Sequence, residues 1–160
     1  MFDAVYAEFR PRVLGLCLHV VGNVADAEDA AQEALLAVHS GLPKFRGECL
    51  LSTWIYRIAL RTALRVRARR PRTVPLDFEP SHEPRNPALD RERSRQVHVA
   101  LSRLTAEHRT VLALFSLDGL SHREIAETLG VPDGTVWSRL HLARRKLAAE
   151  LHALGVDTTS

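Results

Sequence analysis

A chain of 160 residues, 46% hydrophobic and 26% charged, is long enough for one ordinary domain or two small ones and apolar enough to fold, which excludes a wholly disordered polymer. Its net charge of +3 is modest, so any anionic partner must be argued from where the charges sit. Cys17 and Cys49, with no CxxC spacing, exclude a disulfide scaffold and suit a reducing cytoplasm; Asp3, Glu8, Arg10 and Arg12 break up the start of the chain, so neither a signal peptide nor membrane insertion is expected.

In chain order, Phe2, Val5, Tyr6, Phe9, Val13, Leu14, Cys17, Val20 and Val21 recur at helical spacing, and Pro11 is expected to kink or restart that helix. Asn23 caps a second helix, "VADAEDAAQEALLAVHS", which Gly41 and Pro43 end. Its acids Asp26, Glu28, Asp29 and Glu33 would repel nucleic acid; they read either as a solubilising face that complements the helix dipole or as a docking stripe for another partner.

A loop, "PKFRGEC", leads into a third helix whose apolar face is Leu51, Trp54, Ile55, Ile58, Ala59, Thr62 and Val66. Arg57, Arg61, Arg65 and Arg69 sit at every fourth position of it. Each step advances about 400°, so the ladder drifts by about 40° per step and spirals around the axis. One reading is a solvated helix end with cations at its C-terminal dipole. The other is a surface for single-stranded nucleic acid, with bases on Phe45, Trp54 and Tyr56 and the phosphate backbone on the arginines. Arginine supplies all but two of the basic residues, through phosphate recognition or through a GC-rich coding sequence.

Five of the eight prolines then fall within "PRTVPLDFEPSHEPRNPALDRER", a polar stretch without helical period, which marks a linker over residues 71–94 between modules at 1–70 and 95–155, with 156–160 as a tail. The first module carries ten basic and seven acidic residues and is the more basic. After the linker come helices over "QVHVALSRL" and "AEHRTVLALFSLDG", the latter ended by Gly119. Ser121 and Glu124 form a capping box for a short helix with Ile125, Ala126 and Leu129 inward; Gly130 ends it, Val131 plugs the turn, and Pro132 starts another helix with Val136, Leu140, Ala143 and Leu147 inward. Helix, tight turn and helix is the helix-turn-helix pattern, although a plain helical hairpin has the same outline. Asp133, Thr135, Trp137, Ser138, His141, Arg144 and Arg145 look outward or sideways, and Trp137 suits either a thymine methyl or a neighbouring helix.

The fold class is therefore all-α, in two helical modules. Eight scattered histidines show no HExxH or paired ligand spacing, and no Walker A, GxGxxG or GxSxG motif is present, so no metal, cofactor or enzymatic activity is expected.

"DAEDAAQEALL", "LPKFRGECLLSTWIYRIA" and "LTAEHRTVLALFSLDGLSHREIAETLGVPDGTVWSRLHLARRKL" resemble regions 2 and 4 of bacterial RNA polymerase sigma factors of the extracytoplasmic-function type, in the right order over nearly the whole chain outside the linker. The resemblance implies a factor that binds core polymerase and directs it to promoters. By it, Asp26, Asp29, Gln32, Glu33 and Leu36 would dock on the clamp helices of the beta-prime subunit. Phe45, Arg46, Gly47, Glu48, Trp54, Tyr56, Arg57, Arg61 and Arg65 would open the −10 element and capture a flipped base. Arg123, Pro132, Asp133, Gly134, Thr135, Trp137, Ser138, Arg139, His141, Arg144 and Arg145 would read the −35 element, on a module held by the beta flap, with the linker threading toward the RNA exit path.

It also implies an anti-sigma factor that covers the polymerase-binding surfaces and can hold the cytoplasmic protein at the membrane, and neither a region 1.1 nor a region 3. The chain departs from many relatives at Leu60 and Arg61, where an Arg-Asn pair is common, and at Trp137 and Leu142, where basic residues are common. Two rival classes are a free-standing helix-turn-helix regulator with a dimerising or sensing N-terminal half, and a small helical enzyme.

Overall fold

A computed structural model describes residues 2–69, 87–116 and 119–156. Among these residues the secondary structure is helical throughout, as expected: α1 (Phe2–Val21), α2 (Val24–Gly41), a 3-10 turn (Leu42–Lys44), α3 (Leu51–Ala68), α4 (Pro87–Ser102), α5 (Ala106–Ser116), α6 (His122–Leu129) and α7 (Asp133–Ala153).

Helices α1, α2 and α3 pack mutually as a three-helix bundle. Val5, Phe9, Val13, Leu16, Cys17 and Val20 of α1 meet Ala27, Ala30, Ala31, Ala34, Leu35 and Val38 of α2 in its core, where the run of alanines lets the two backbones approach closely. A two-residue turn joins them. Gly22, at φ 83°, takes the left-handed conformation that closes α1, and its N–H donates to Leu18 O at 2.8 Å. Asn23 Oδ1 then accepts from Asp26 N at 2.9 Å while its Nδ2 donates to the Asp26 carboxylate at 3.0 Å, so α2 begins with a reciprocal cap.

Pro11 does not restart the helix: α1 runs unbroken through it from Phe2 to Val21. It lies on the exposed side together with Ala7, whose carbonyl loses its helical partner there, and water can take that bond at little cost.

Burial of Cys17 pushes its thiol up to about 12, whereas Cys49 is only half-buried. Brief alkylation of the native protein is therefore expected to modify Cys49 alone, with Cys17 reacting only after denaturation. Peptide mass spectrometry checks this, and equal native labelling of both thiols would contradict the packing of α1.

The second module is α4 to α7, in which α7 crosses α4, α5 and α6. The expected linker is shorter than its proline content suggested: residues 71–86 lie outside the described residues, but 87–94 belong to α4. Pro87 occupies the first helical position, where its missing N–H costs nothing, and the residues after it include good helix formers. Residues 91–93 and 95 face water, so this turn of helix carries no apolar period to betray it.

The helix-turn-helix forms as expected. Ser121 Oγ accepts from Glu124 N, Gly130 adopts φ 69°, and both Gly130 N and Val131 N donate to Ala126 O. Pro132 stands one position before the helix, as its N-terminal flanking residue, and α7 starts at Asp133.

The modules are not independent. Helix α1 packs on α5, and α3 packs on α6. Arg109 of α5, only 3% exposed, is the centre of this junction. Its Nε donates to His19 O near the end of α1 at 2.9 Å, and its Nη1 reaches Leu104 O and, more weakly, Leu101 O where α4 ends. Sequence reading passed over Arg109 because no acidic residue stands three or four positions from it, and its acceptors are backbone carbonyls that no side-chain pattern marks.

Candidate nucleic-acid interface

Helix α3 and the loop before it hold most of the residues expected to meet single-stranded DNA. Their neighbourhood, however, divides them into four groups. Phe45 and Trp54 form one aromatic unit, ring centroids 5.1 Å apart and planes at 33°, with Trp54 half-buried and held against Gly41. Arg46, Gly47 and Glu48 are exposed in the loop, and Gly47 at φ 75° sets its turn. Arg61 is exposed on α3.

Two of the arginines are engaged within the protein. Arg57 donates through Nε and Nη2 to Glu127 O, at 2.9 and 2.6 Å, near the C-terminal end of α6. Arg65 pairs with Glu33 of α2. The arginine ladder therefore serves several partners: its spiral carries one guanidinium to the second module, one to water and one to the acidic helix.

Tyr56 corrects the expectation. Its side chain is fully buried against Phe9, ring centroids 6.0 Å apart and nearly perpendicular, so no base can stack on it in this arrangement. The buried side of α3 is Thr53, Ile55, Tyr56, Ala59, Leu60, Thr62 and Ala63, wider than the expected stripe because α1 and α2 cover one flank while α6 approaches another.

On α2, Asp29, Gln32, Glu33 and Leu36 fall at helical spacing in one exposed stripe, with Leu36 62% exposed. Asp26 sits half-buried at the edge of this stripe, where its carboxylate completes the Asn23 cap. Gln32 and Leu36 also line a groove of about 600 Å³ against Phe2, Tyr6 and Arg10 of α1.

In the second module, Asp133, Gly134, Trp137, Ser138, His141, Arg144 and Arg145 are exposed, while Thr135 and Arg139 are half-buried. Trp137 stacks on His122 of α6, centroids 4.0 Å apart with planes at 11°, and still leaves 62% of its surface to solvent. His122 in turn abuts Phe115, over which Arg144 lies at 4.6 Å, so a short aromatic and cationic run joins α5, α6 and α7. Arg123 is exposed and 3.7 Å from Glu127. Arg139 leans to Glu107 of α5 at 3.5 Å, which places it at the flank of the outward face.

A basic, aromatic helix beside an acidic one, packed with a helix-turn-helix, is the arrangement of a two-module nucleic-acid-binding protein that also carries an exposed acidic stripe. Residues 5–73 match the model of Sigma-70 region 2, and residues 94–147 match that of Sigma-70, region 4. The chain is similar to the RNA polymerase sigma-H factor of Pseudomonas aeruginosa, 34% identical over 96% of this chain and 87% of that protein. It is also similar to the ECF RNA polymerase sigma factor SigW of Bacillus subtilis, 32% identical over 91% and 86%.

The chain belongs to the ECF sigma factors: it is an alternative sigma factor that directs promoter-specific transcription. The rival reading as a free-standing regulator is not favoured, because the likeness to sigma factors runs through both modules. In fold it resembles RpoE of Bartonella quintana in complex with the anti-sigma factor NepR, at TM-score 0.76 and 23% identity over 94% of this chain and 96% of that one. It also resembles CnrH in complex with the cytosolic domain of CnrY, at TM-score 0.73 and 24% identity over 95% and 88%. No helix among the described residues is long and apolar enough to cross a membrane.

Proposed function

We propose that the first module binds core polymerase through the exposed stripe Asp29, Gln32, Glu33 and Leu36, with Asp26 at its edge, and opens the −10 element through Phe45, Arg46, Trp54, Arg57, Arg61 and Arg65. The second module reads the −35 element through Trp137 and its exposed neighbours on α7. The observation that supports this best is the juxtaposition of α2 and α3: an acidic stripe and a basic, aromatic edge on adjacent helices suit a protein partner and a nucleic acid held side by side. The polymerase performs the chemistry; this chain contributes binding energy and no catalysis. Its place is the cytoplasm, and an anti-sigma factor would cover the same surfaces.

The test is to mix the purified protein with bacterial core RNA polymerase, look for co-elution, and then seek new run-off transcripts from a promoter library. Co-elution with new transcripts would establish the assignment. No binding by folded protein free of inhibitor would overturn it.

Arg61 gives a sharper prediction. Arg61→Ala is expected to weaken open-complex formation at every cognate promoter, and to lower the slope of log affinity against log salt by about 1, because a phosphate contact carries little sequence information. A salt series on two promoters checks it; an unchanged slope removes Arg61 from the DNA surface.

A further inference from the structure

Trp137 leaves 62% of its surface to solvent, yet it is not a loose side chain. One face of the indole stacks on the imidazole of His122, the first residue of α6. His122 abuts Phe115 at 5.6 Å, and Phe115 packs against the hydrophobic core. A column therefore runs from the core to the surface, with its foot on α5, its middle on α6 and its tip on α7. An indole already held on one face has less rotamer freedom to lose when its other face meets a ligand, so the contact is preorganised.

What the free face can take follows from its chemistry. Indole has a single donor, Nε1–H, and no acceptor, so it cannot make the two-point hydrogen bond by which arginine reads guanine or asparagine reads adenine. Among the groups that base pairs display in the major groove, the C5-methyl of thymine is the apolar one. Several polar neighbours on α7 are already engaged within the protein: Ser138 Oγ donates to Gly134 O at 3.0 Å, Arg139 leans to Glu107, and Arg144 lies over Phe115. Leu142, the other large apolar residue exposed on α7, stands five positions on and so about 140° further round the axis, on a different flank. The apolar patch at Trp137 is one indole wide, which matches one methyl group.

We propose that Trp137 is a specificity-determining residue: it selects thymine at one position of the −35 element by packing its free face on the C5-methyl, and His122 is the positioning residue that holds the ring for it. This rests on the reading of α7 as the −35 helix given above.

The test uses holoenzyme formed from the full-length protein and core polymerase, on a promoter duplex recovered from the run-off library. Each thymine of the −35 element, on either strand, is replaced in turn by deoxyuridine, which keeps every hydrogen-bonding group of thymine and lacks only the methyl. One position is expected to lose about 4-fold in affinity, the effect of leaving one methyl unburied, and Trp137→Ala is expected to abolish that difference. His122→Ala should bring the ratio of thymine to deoxyuridine affinity down to less than half its wild-type value. His122→Phe should keep most of it, because a phenyl ring still supports the indole. Each ratio compares two duplexes on one protein, so a loss of stability in a variant cancels from it.

A stack that serves structure alone would lower affinity for both duplexes alike. A ratio unchanged in His122→Ala would therefore overturn the positioning role. No thymine whose methyl matters, or a methyl effect that survives Trp137→Ala, would overturn the selection of thymine while leaving α7 on the −35 element. A protein that forms no holoenzyme, or a holoenzyme indifferent to every −35 base pair, would remove that reading and the inference with it.

Discussion

Trp54→Ala is expected to slow promoter opening by about 10- to 100-fold while leaving core-polymerase binding close to wild type. The indole is the larger half of the Phe45–Trp54 pair and stands at the mouth of the loop that precedes α3. Stacking of one base on an aromatic ring is worth about 1–3 kcal/mol, and each 1.4 kcal/mol is about tenfold in an equilibrium. A flipped base held here would lose most of that term.

Since Trp54 is half-buried, truncation also costs stability in the first module, and two further variants separate the effects. Trp54→Phe keeps a π face and should recover most of the opening. Gly41→Ala keeps the indole but would place a Cβ 2.8 Å from its Cζ2, so the ring must shift out of its seat. The backbone at Gly41 is ordinary, φ −88°, so that substitution acts through the ring alone. Permanganate reactivity of unpaired thymines on a cognate promoter reads the opened strand directly. If Trp54→Ala opens DNA at the wild-type rate while still bound to polymerase, the aromatic pair is a packing feature and base capture lies elsewhere.

The sequence made the individual helices legible because their signals are local. The Asn23 cap, the left-handed Gly130 and the period of Val136, Leu140 and Ala143 each depend on residues within one or two turns, and each took the expected form. What local pattern could not show is what lies against a face from the other half of the chain. Tyr56 reads as an available aromatic until Phe9, distant in sequence, is placed over it. Arg57 reads as a free cation until α6 brings a carbonyl to it, and Leu60 as an odd substitution until its burial is seen. Pro87 misled for the opposite reason: proline is read as a breaker, yet at the first position of a helix it is a starter. Asp29, Gln32 and Arg61 were legible because they stay exposed, and Glu33 and Trp137 because they keep much of their surface in solvent even with Arg65 and His122 against them.

Arg109 carries the largest expected effect on stability. A guanidinium removed from water is costly unless its donors are met, and burial, with a smaller contribution from Arg67, lowers its pKa to about 10, so it remains charged at neutral pH. No carboxylate pairs with it among the described residues; its hydrogen-bond acceptors are the carbonyls of His19, Leu101 and Leu104. Arg109→Ala would take the donor from His19 O and Leu104 O, while Leu101 O keeps its bond from Leu104 N, and would open a cavity between α1, α4 and α5, a loss of about 3 kcal/mol. At about 2–4 °C per kcal/mol for a chain of this size, the thermal midpoint should fall by about 10 °C.

Arg109→Lys is the informative companion. It keeps the charge, but a single ammonium on a flexible stem cannot span two helix ends as a planar fork does, so it should recover less than half of the loss. Differential scanning calorimetry of the three proteins at one concentration and pH decides. A lysine variant within 2–3 °C of wild type, judged on the same scale of midpoint shifts, would show that the site needs only a positive charge between two helix C-termini. A midpoint near that of the alanine variant would show that the fork itself joins α1 to the second module.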